Sequence, residues 1–389
     1  MKYLKYMPRV TIDDASRNKR ELIAAKEFGY DCYCYCDPSN GAIQENFPDF
    51  SLIVSNSRKP TLDQFVLKRY LIIINNALVH MKELRQIDAD IISCHNIYAL
   101  GIAYFAYLFH NNKPKFIYDS HEFELKKKPR NKIMYHFIKA LEGYLIKKCA
   151  FTIMVNEYIA DAVAKIHGFD YPRAIVRSTP DYWHIDSSVS NDIHAEICEK
   201  LRVPNDSFLI SYHGTIYHNR GVEEIYRAMK LNHNIYLVTI GNYANERYQN
   251  ELKDLAEDLA ISNRIVHIPA QPLGKLWRYV SAVDCGVVLF NGNNKNYAVA
   301  LPNKFFENIQ SMTPIICTDS AEMARIVNQY DIGILSPSGD AEKLAGNIER
   351  MRTDKELYRK FKANLTKAKN ELCWENEKKK LLEAYKKYL

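Results

Sequence analysis

Short apolar runs separated by longer stretches of helical periodicity recur through most of the chain, and this alternation limits its fold more than any other feature. Residues 31–36, 91–94, 115–119, 151–155 and 174–177 read as strands with helical patterns between them. Strands alternating with helices imply βαβ units and a doubly wound sheet with helices on both faces. A second series follows at 208–212, 235–240, 264–268, 284–289, 314–317 and 333–335. Between the two series, 181–204 is rich in Asp, Ser and Asn and is flanked by Pro180 and Pro204, as a connection between domains would be. At 389 residues the chain is also too long for one core. The expected class is therefore α/β, with two Rossmann-like doubly wound domains facing across a cleft. Residues 1–180 form the first, 181–204 the linker, 205–370 the second and 371–389 a terminal helix. In such sheets, ligands bind beyond the carboxyl ends of the strands.

Composition narrows the classes further. With 47% apolar and 25% charged residues the chain is globular, and no apolar stretch approaches the roughly 18 to 20 residues of a spanning helix. The start, Met1 to Pro8, lacks the apolar segment of a secretory signal, so the expected location is the cytoplasm. Nine cysteines without framework spacing read as free thiols in a reducing compartment. Cys32, Cys34 and Cys36 alternate along one strand and face one side, as buried thiols or as ligands of a soft metal. No second Cys/His pair accompanies them at zinc-finger spacing, so no metal is expected. The net charge of +7 is uneven: Lys126, Lys127, Lys128, Arg130 and Lys132 cluster in the first half, Lys147 and Lys148 follow, and 378–380 with Lys386 and Lys387 end the chain. These residues form either a solvated face or a surface drawn to an anionic membrane. No nucleic-acid recognition module is present, and nucleic acid is not an expected partner.

In the second half, the segment from Tyr212 through His213 and Gly214 to Arg220 and Gly221 leads from a strand into a helix from 222 to 230. A glycine after a strand lets backbone N–H groups approach a ligand, and Arg220 adds a cation at the positive helix terminus, a combination suited to diphosphate. Neither G-x-G-x-x-G nor a Walker sequence occurs here. A second pattern places Pro302, Asn303, Lys304 and Glu307 at the start of a helix. A carboxylate there can accept two ribose hydroxyls while the lysine meets phosphate; alternatively, Lys304 and Glu307 form a surface ion pair.

The first half ends two strands in titratable groups: His95 and Asn96 after one, and Asp119, His121 and Glu122 after the other. Asp13, Asp14 and Arg17 precede the first helix, where an aspartate also suits a cap.

Taken together, the glycine loop at 213–221, the strand at 283–289, the Pro-Asn-Lys-Phe-Phe-Glu run and Trp374-Glu375 resemble glycosyltransferase family 4, retaining enzymes of the glycosyltransferase-B (GT-B) fold. The resemblance implies that the terminal helix crosses back onto the first domain. It also implies that Glu307 binds the nucleotide ribose and that Val299 stands where many members carry a further glutamate. Arg220 matches the second of two basic phosphate ligands; Ile216 or a neighbour replaces the first, and Lys304 compensates. His213, Gly214 and Asn303 complete the donor side. The Asp119, His121 and Glu122 run matches one that faces the reacting sugar, and Asp14 and Arg17 match an acceptor-side segment, with His95 and Asn96 placed beside them at a strand end. The implied function is retaining transfer of a hexosyl unit from a nucleotide-diphosphate sugar to a hydroxyl of a surface-glycan acceptor, lipid-linked and reached from the membrane's inner face, without a cofactor. A sugar-nucleotide epimerase of the same fold and a non-catalytic subunit of a glycan assembly complex are the alternatives.

Overall fold

A computed structural model describes residues 1–8, 16–36, 50–55, 66–126, 132–290 and 297–389, with side chains omitted at 16 and 66–70. Asp14, Lys127, Lys128 and Arg130 lie outside these residues. The described chain forms two compact units, Met1–Arg177 with Lys378–Leu389, and Ser178–Glu377. Each is built on one parallel sheet of Rossmann type.

The first sheet contains β1 (Lys2–Met7), β2 (Asp31–Cys36), β3 (Ser51–Val54), β4 (Ile91–Cys94), β5 (Lys115–Ser120), β6 (Cys149–Met154) and β7 (Arg173–Ile175). Their spatial order is β3-β2-β1-β4-β5-β6-β7. The chain moves one way from β1 to β3 and the other way from β4 onward, so strand order reverses between β1 and β4. This is where a doubly wound sheet opens a crevice for ligands. The strands are connected by α1 (Ser16–Glu27), α2 (Val66–Leu84), α3 (Ile97–Ala106), α4 (Lys132–Ile146) and α5 (Glu157–His167). The three cysteines of β2 are buried, and all nine in the chain are free thiols.

The second unit repeats the plan with β8 (Leu209–His213), β9 (Tyr236–Ile240), β10 (Ile265–Ile268), β11 (Cys285–Val288), β12 (Ile315–Thr318) and β13 (Gly333–Ser336). The order β10-β9-β8-β11-β12-β13 places its reversal between β8 and β11. The stretch read as a plain connection, 181–204, instead carries the helix α6 (Ser187–Leu201), whose Ile197, Cys198 and Leu201 enter a core with Val238 and Ile240. Its polar start is a cap, because the Asp186 side chain accepts the Ser188 backbone N–H. Around the sheet lie α7 (Val222–Leu231), α8 (Glu246–Asp258), α9 (Leu273–Val280), α10 (Asn303–Gln310), α11 (Ala321–Tyr330), α12 (Ala341–Thr353) and α13 (Lys355–Glu371).

The last helix, α14 (Trp374–Tyr388), begins in the second unit and ends in the first. Buried Tyr385 packs against Tyr3, Tyr30 and Phe28, and its hydroxyl lies 3.1 Å from that of Tyr3. Lys378 Nζ donates to Glu27 Oε2 at 2.7 Å. Burying this tyrosine cluster covers one side of the first sheet with the chain's own C-terminus.

Candidate active site

Beside the reversal point of the second sheet, the loops after β8 and β9 are drawn together by glycines. Gly214, just after β8, has φ of +99°, and Gly241, just after β9, has +147°. A Cβ at Gly241 would stand 2.1 Å from the Gly214 carbonyl oxygen, so no larger residue fits this approach. Close approach is also required behind α10. A Cβ at Gly286 of β11 would meet Asn308 Oδ1 at 1.9 Å, while Asn308 Nδ2 donates to the Lys304 carbonyl at 2.7 Å. This seats α10 against the sheet and turns Glu307 towards the end of β8. There His213 Nε2 lies 3.0 Å from Glu307 Oε2, both residues being buried.

Lys304 and Glu307 do not form the ion pair that their spacing allowed. Lys304 Nζ is buried without a hydrogen-bond partner, 4.1 Å from the centroid of the Tyr212 ring and 5.5 Å from that of Phe290. The Arg220 guanidinium lies 5.6 Å from the Phe290 ring, which stacks on Tyr297 at 4.5 Å. Two cationic side chains thus share one aromatic surface. Burial, and then Arg220, lower the Lys304 pKa to about 7 against the opposing pull of Glu307. Neither α7 nor α10 receives a side-chain cap at its start, where Gly221 and Pro302 precede the first turns. The first turns keep backbone N–H groups for another acceptor. Asn303 is exposed at the head of α10, and Val299 is buried in the short turn Tyr297–Val299.

In the first unit, Lys5 from the middle of β1 is fully buried and donates to Glu21 Oε2 at 2.5 Å, to Asp119 Oδ2 at 2.8 Å and to Ser93 Oγ at 3.2 Å. Arg17 closes the set: Nε donates to Glu21 Oε1 at 2.9 Å, Nη2 to Asp119 Oδ1 at 3.2 Å and Nη1 to the Val176 carbonyl at 2.8 Å. Two cations and two carboxylates therefore balance. Burial opposes the charged forms of Lys5 and Asp119, but their partners outweigh it, raising the Lys5 pKa and holding the Asp119 carboxyl well below its usual range.

His121 stands at the open edge of this network, with Nε2 2.5 Å from Asp119 Oδ2 and its side chain about one quarter exposed (23%). The His95 ring lies 4.1 Å from that of His121 and its Nδ1 3.2 Å from Asn18 Nδ2. Burial, then His121, with Lys5 and Arg17 adding to them, drive the His95 pKa down to about 3, so its ring is neutral. His95, Asp119 and His121 offer ligand atoms within 4.8 Å of one another. Asp119 already accepts from Lys5, Arg17 and His121, and a metal ion there would face two fixed cations. The arrangement serves hydrogen bonding and charge placement better than metal binding.

The structure thus gathers His213, Lys304, Glu307 and Arg220 in the second unit, and Arg17, His95, Asp119 and His121 in the first. Two predicted residues stand apart from these groups. Asn96 caps α3, accepting the Ala99 N–H at 2.9 Å, and Glu122 is exposed, its carbonyl accepting from Ser120 Oγ at 2.9 Å. Sequence reasoning missed Lys5, Glu21, Phe290 and Tyr297. The spacing of Arg17 and Glu21, four apart on α1, was the one visible signal.

Residues 194–368 match the model of glycosyl transferases group 1, and residues 20–180 match that of Glycosyltransferase Family 4. No curated protein sequence matches the chain significantly. Among solved structures, Alr3699/HepE of Anabaena in complex with UDP is 12% identical with a TM-score of 0.78, covering 100% of both chains. A glycosyltransferase of Rickettsia africae is 16% identical with a TM-score of 0.74, covering 100% of this chain and 98% of the other. Sucrose-phosphate synthase of Thermosynechococcus elongatus is 13% identical with a TM-score of 0.73, covering 100% and 99%. These similarities establish the two-sheet arrangement as that of the GT-B fold.

Proposed function

The chain belongs to the family 4 glycosyltransferases, and from that premise we propose that it is a retaining hexosyltransferase that uses a nucleotide-diphosphate sugar and delivers the sugar to a hydroxyl of a lipid-linked surface glycan. The observation that carries the donor assignment is Lys304, a buried amine with no partner beside Arg220, at the reversal point of a sheet whose neighbouring helices start uncapped. A diphosphate supplies the anion this group lacks. Arg220, Lys304, Gly214 and the first amides of α7 and α10 hold it, while Glu307, oriented by His213, accepts the ribose hydroxyls. The complexes of the Anabaena relative hold UDP and UDP-glucose, so uridine donors are the first to try.

As the sugar leaves, negative charge grows on the diphosphate and positive charge on the anomeric carbon. Fixed cations and N–H donors at the phosphates stabilise that separation more than a nucleophile would, and none is assigned. His121, oriented by Asp119, contacts the transferred sugar; Arg17, His95 and Asn18 support it on the acceptor side. Among the described residues no helix is long and apolar enough to cross a membrane, and the enzyme is proposed to work peripherally on the inner membrane face.

Incubation with a panel of nucleotide sugars and glycan acceptors tests the reaction. Release of nucleoside diphosphate with a glycosylated product is expected. An isomerised donor would identify an epimerase, and no turnover together with no nucleotide binding would favour a non-catalytic subunit. Glu307→Ala is expected to weaken nucleoside diphosphate binding by about 1–3 kcal/mol through loss of a charged acceptor. An unchanged affinity in the folded variant would remove Glu307 from the donor site.

A further inference from the structure

Large apolar side chains exposed to solvent are distributed unevenly between the two units. Among the described residues the second unit exposes Tyr217 and Leu231, whereas the first exposes many, most of them on α2, α3, α4 and the turn after α3. The first six residues of α4, 132–137, are exposed on every side. On its outer face Ile133 is 82% exposed, Phe137 61% and Tyr144 48%. Their spacing of four and then seven residues forms one stripe along the helix. Tyr104 of α3 meets Tyr144 hydroxyl to hydroxyl at 2.9 Å, and α3 is followed by Phe109, 88% exposed. On the other side of α3 packs α2, which leaves Leu71, Ile74 and Leu78 exposed at the same helical periodicity.

On α3 and α4 the charges of this surface have one sign, and the one acid of α2, Glu83, is half-buried and accepts from the Tyr35 hydroxyl. The segment of α3 contains no ionisable carboxylate. The single acid of α4, Glu142, is buried and held by Tyr118 Oη and His167 Nε2, both at 3.0 Å. Lys132, Lys147 and Lys148 are exposed at the two ends of α4. Apolar side chains rimmed by lysines match the two layers of an anionic leaflet, with acyl chains beneath phosphate headgroups. A second protein copy would have to place its own lysines against these, and a partner lacking negative charge would leave them unmatched.

We propose that the outer surface of α2, α3 and α4 is a membrane-insertion face that seats Ile133, Phe137 and Phe109 below the headgroups of an anionic leaflet while Lys132, Lys147 and Lys148 meet the phosphates. This deepens the peripheral reading given above. It differs from attraction by charge alone, because apolar side chains enter the lipid. It requires neither a donor nor a glycan.

Vesicles of phosphatidylcholine with and without phosphatidylglycerol, free of any glycan, provide the test. The full chain is expected to sediment with phosphatidylglycerol vesicles, and Ile133→Asn with Phe137→Asn to weaken this by about tenfold or more, as the apolar contribution is lost. Lys132→Glu with Lys148→Glu should weaken it at low salt and lose its effect at high salt. In a Phe137→Trp variant, quenching of the new tryptophan by brominated acyl chains reports insertion directly. Since all these side chains are exposed, circular dichroism should remain unchanged. Absence of quenching, or vesicle binding unaffected by the Asn pair, overturns the proposal. So does a dimer that the Asn pair dissociates, which would show that a second copy covers the face. Vesicle insertion combined with transfer only to soluble acceptors would overturn the lipid-linked acceptor and leave this surface standing.

Discussion

Lys5 and Lys304 are both buried, yet one meets a serine and two carboxylates and the other meets no acceptor. Burial opposes the charge of each. In the first unit Asp119 and Glu21 overcome it and raise the pKa; in the second, Arg220 adds to it and the value falls to about 7. A closed set of charges is complete without a ligand and holds elements together: Lys5 of β1 and Arg17 of α1 are tied to Asp119 of β5. An open set is stabilised by an arriving anion. The same residue type thus marks structure in one sheet and ligand binding in the other, and the partner list distinguishes them.

The largest effect that would test this contrast is at Lys5. Lys5→Met leaves Glu21 and Asp119 buried with one cation instead of two, and removal of one partner from a buried ionic set costs about 3–5 kcal/mol. Urea unfolding, followed by hydrogen exchange at the amides of β1 and β4, is expected to show that loss in the first unit. A loss below about 1 kcal/mol would mean the network is open to water and the contrast is false.

At Lys304 the expected effect is smaller and depends on pH. Below about pH 7 the amine is charged before a ligand arrives; above it, diphosphate must bring a proton with it, because the anion raises the amine's pKa. The advantage of a nucleoside diphosphate over its nucleoside should therefore decline as pH rises above about 7. Calorimetry at about pH 8, in buffers of different ionisation enthalpy, should detect uptake of close to one proton. Lys304→Met should abolish both the uptake and the pH slope, and Arg220→Ala should lower diphosphate affinity without abolishing the uptake. Diphosphate binding with no proton uptake at that pH would place the anion elsewhere.

What the sequence disclosed follows the same division. The strands at 31–36 and 91–94 match the observed β2 and β4 residue for residue, and the second series falls within a residue or two throughout. Central β1 was missed because Lys2 and Lys5 interrupt its apolar character, and Lys5 is tolerated there only through Glu21 and Asp119, distant in sequence. In the same way, α6 was hidden by the Asp and Ser residues at its start, which serve as a cap rather than a linker. Of the candidate site, Gly214, Arg220, Lys304 and Glu307 were legible because loop and helix start are local in the chain. That Glu307 would pair with His213 depends on β8 lying beside β11, a fact of sheet order that local spacing does not contain.

The smallest expected effect concerns Asn96, where a site residue and a structural residue look alike in sequence. It follows β4 at the ligand-facing end of the first sheet, beside His95, and its side chain accepts the Ala99 N–H at 2.9 Å. An amide committed to the helix start has less freedom to recognise an acceptor, and loss of such a cap costs about 1 kcal/mol. Asn96→Ala should therefore lower the stability of the first unit by about that amount, while Asn96→Asp, which keeps the accepting oxygen, should restore it. Acceptor KM separates the two roles. If Asn96 only caps α3, KM in the Asp variant stays at the wild-type value; if it rises while stability is preserved, the amide nitrogen contacts the acceptor, and the first unit holds an open group next to its closed ionic set.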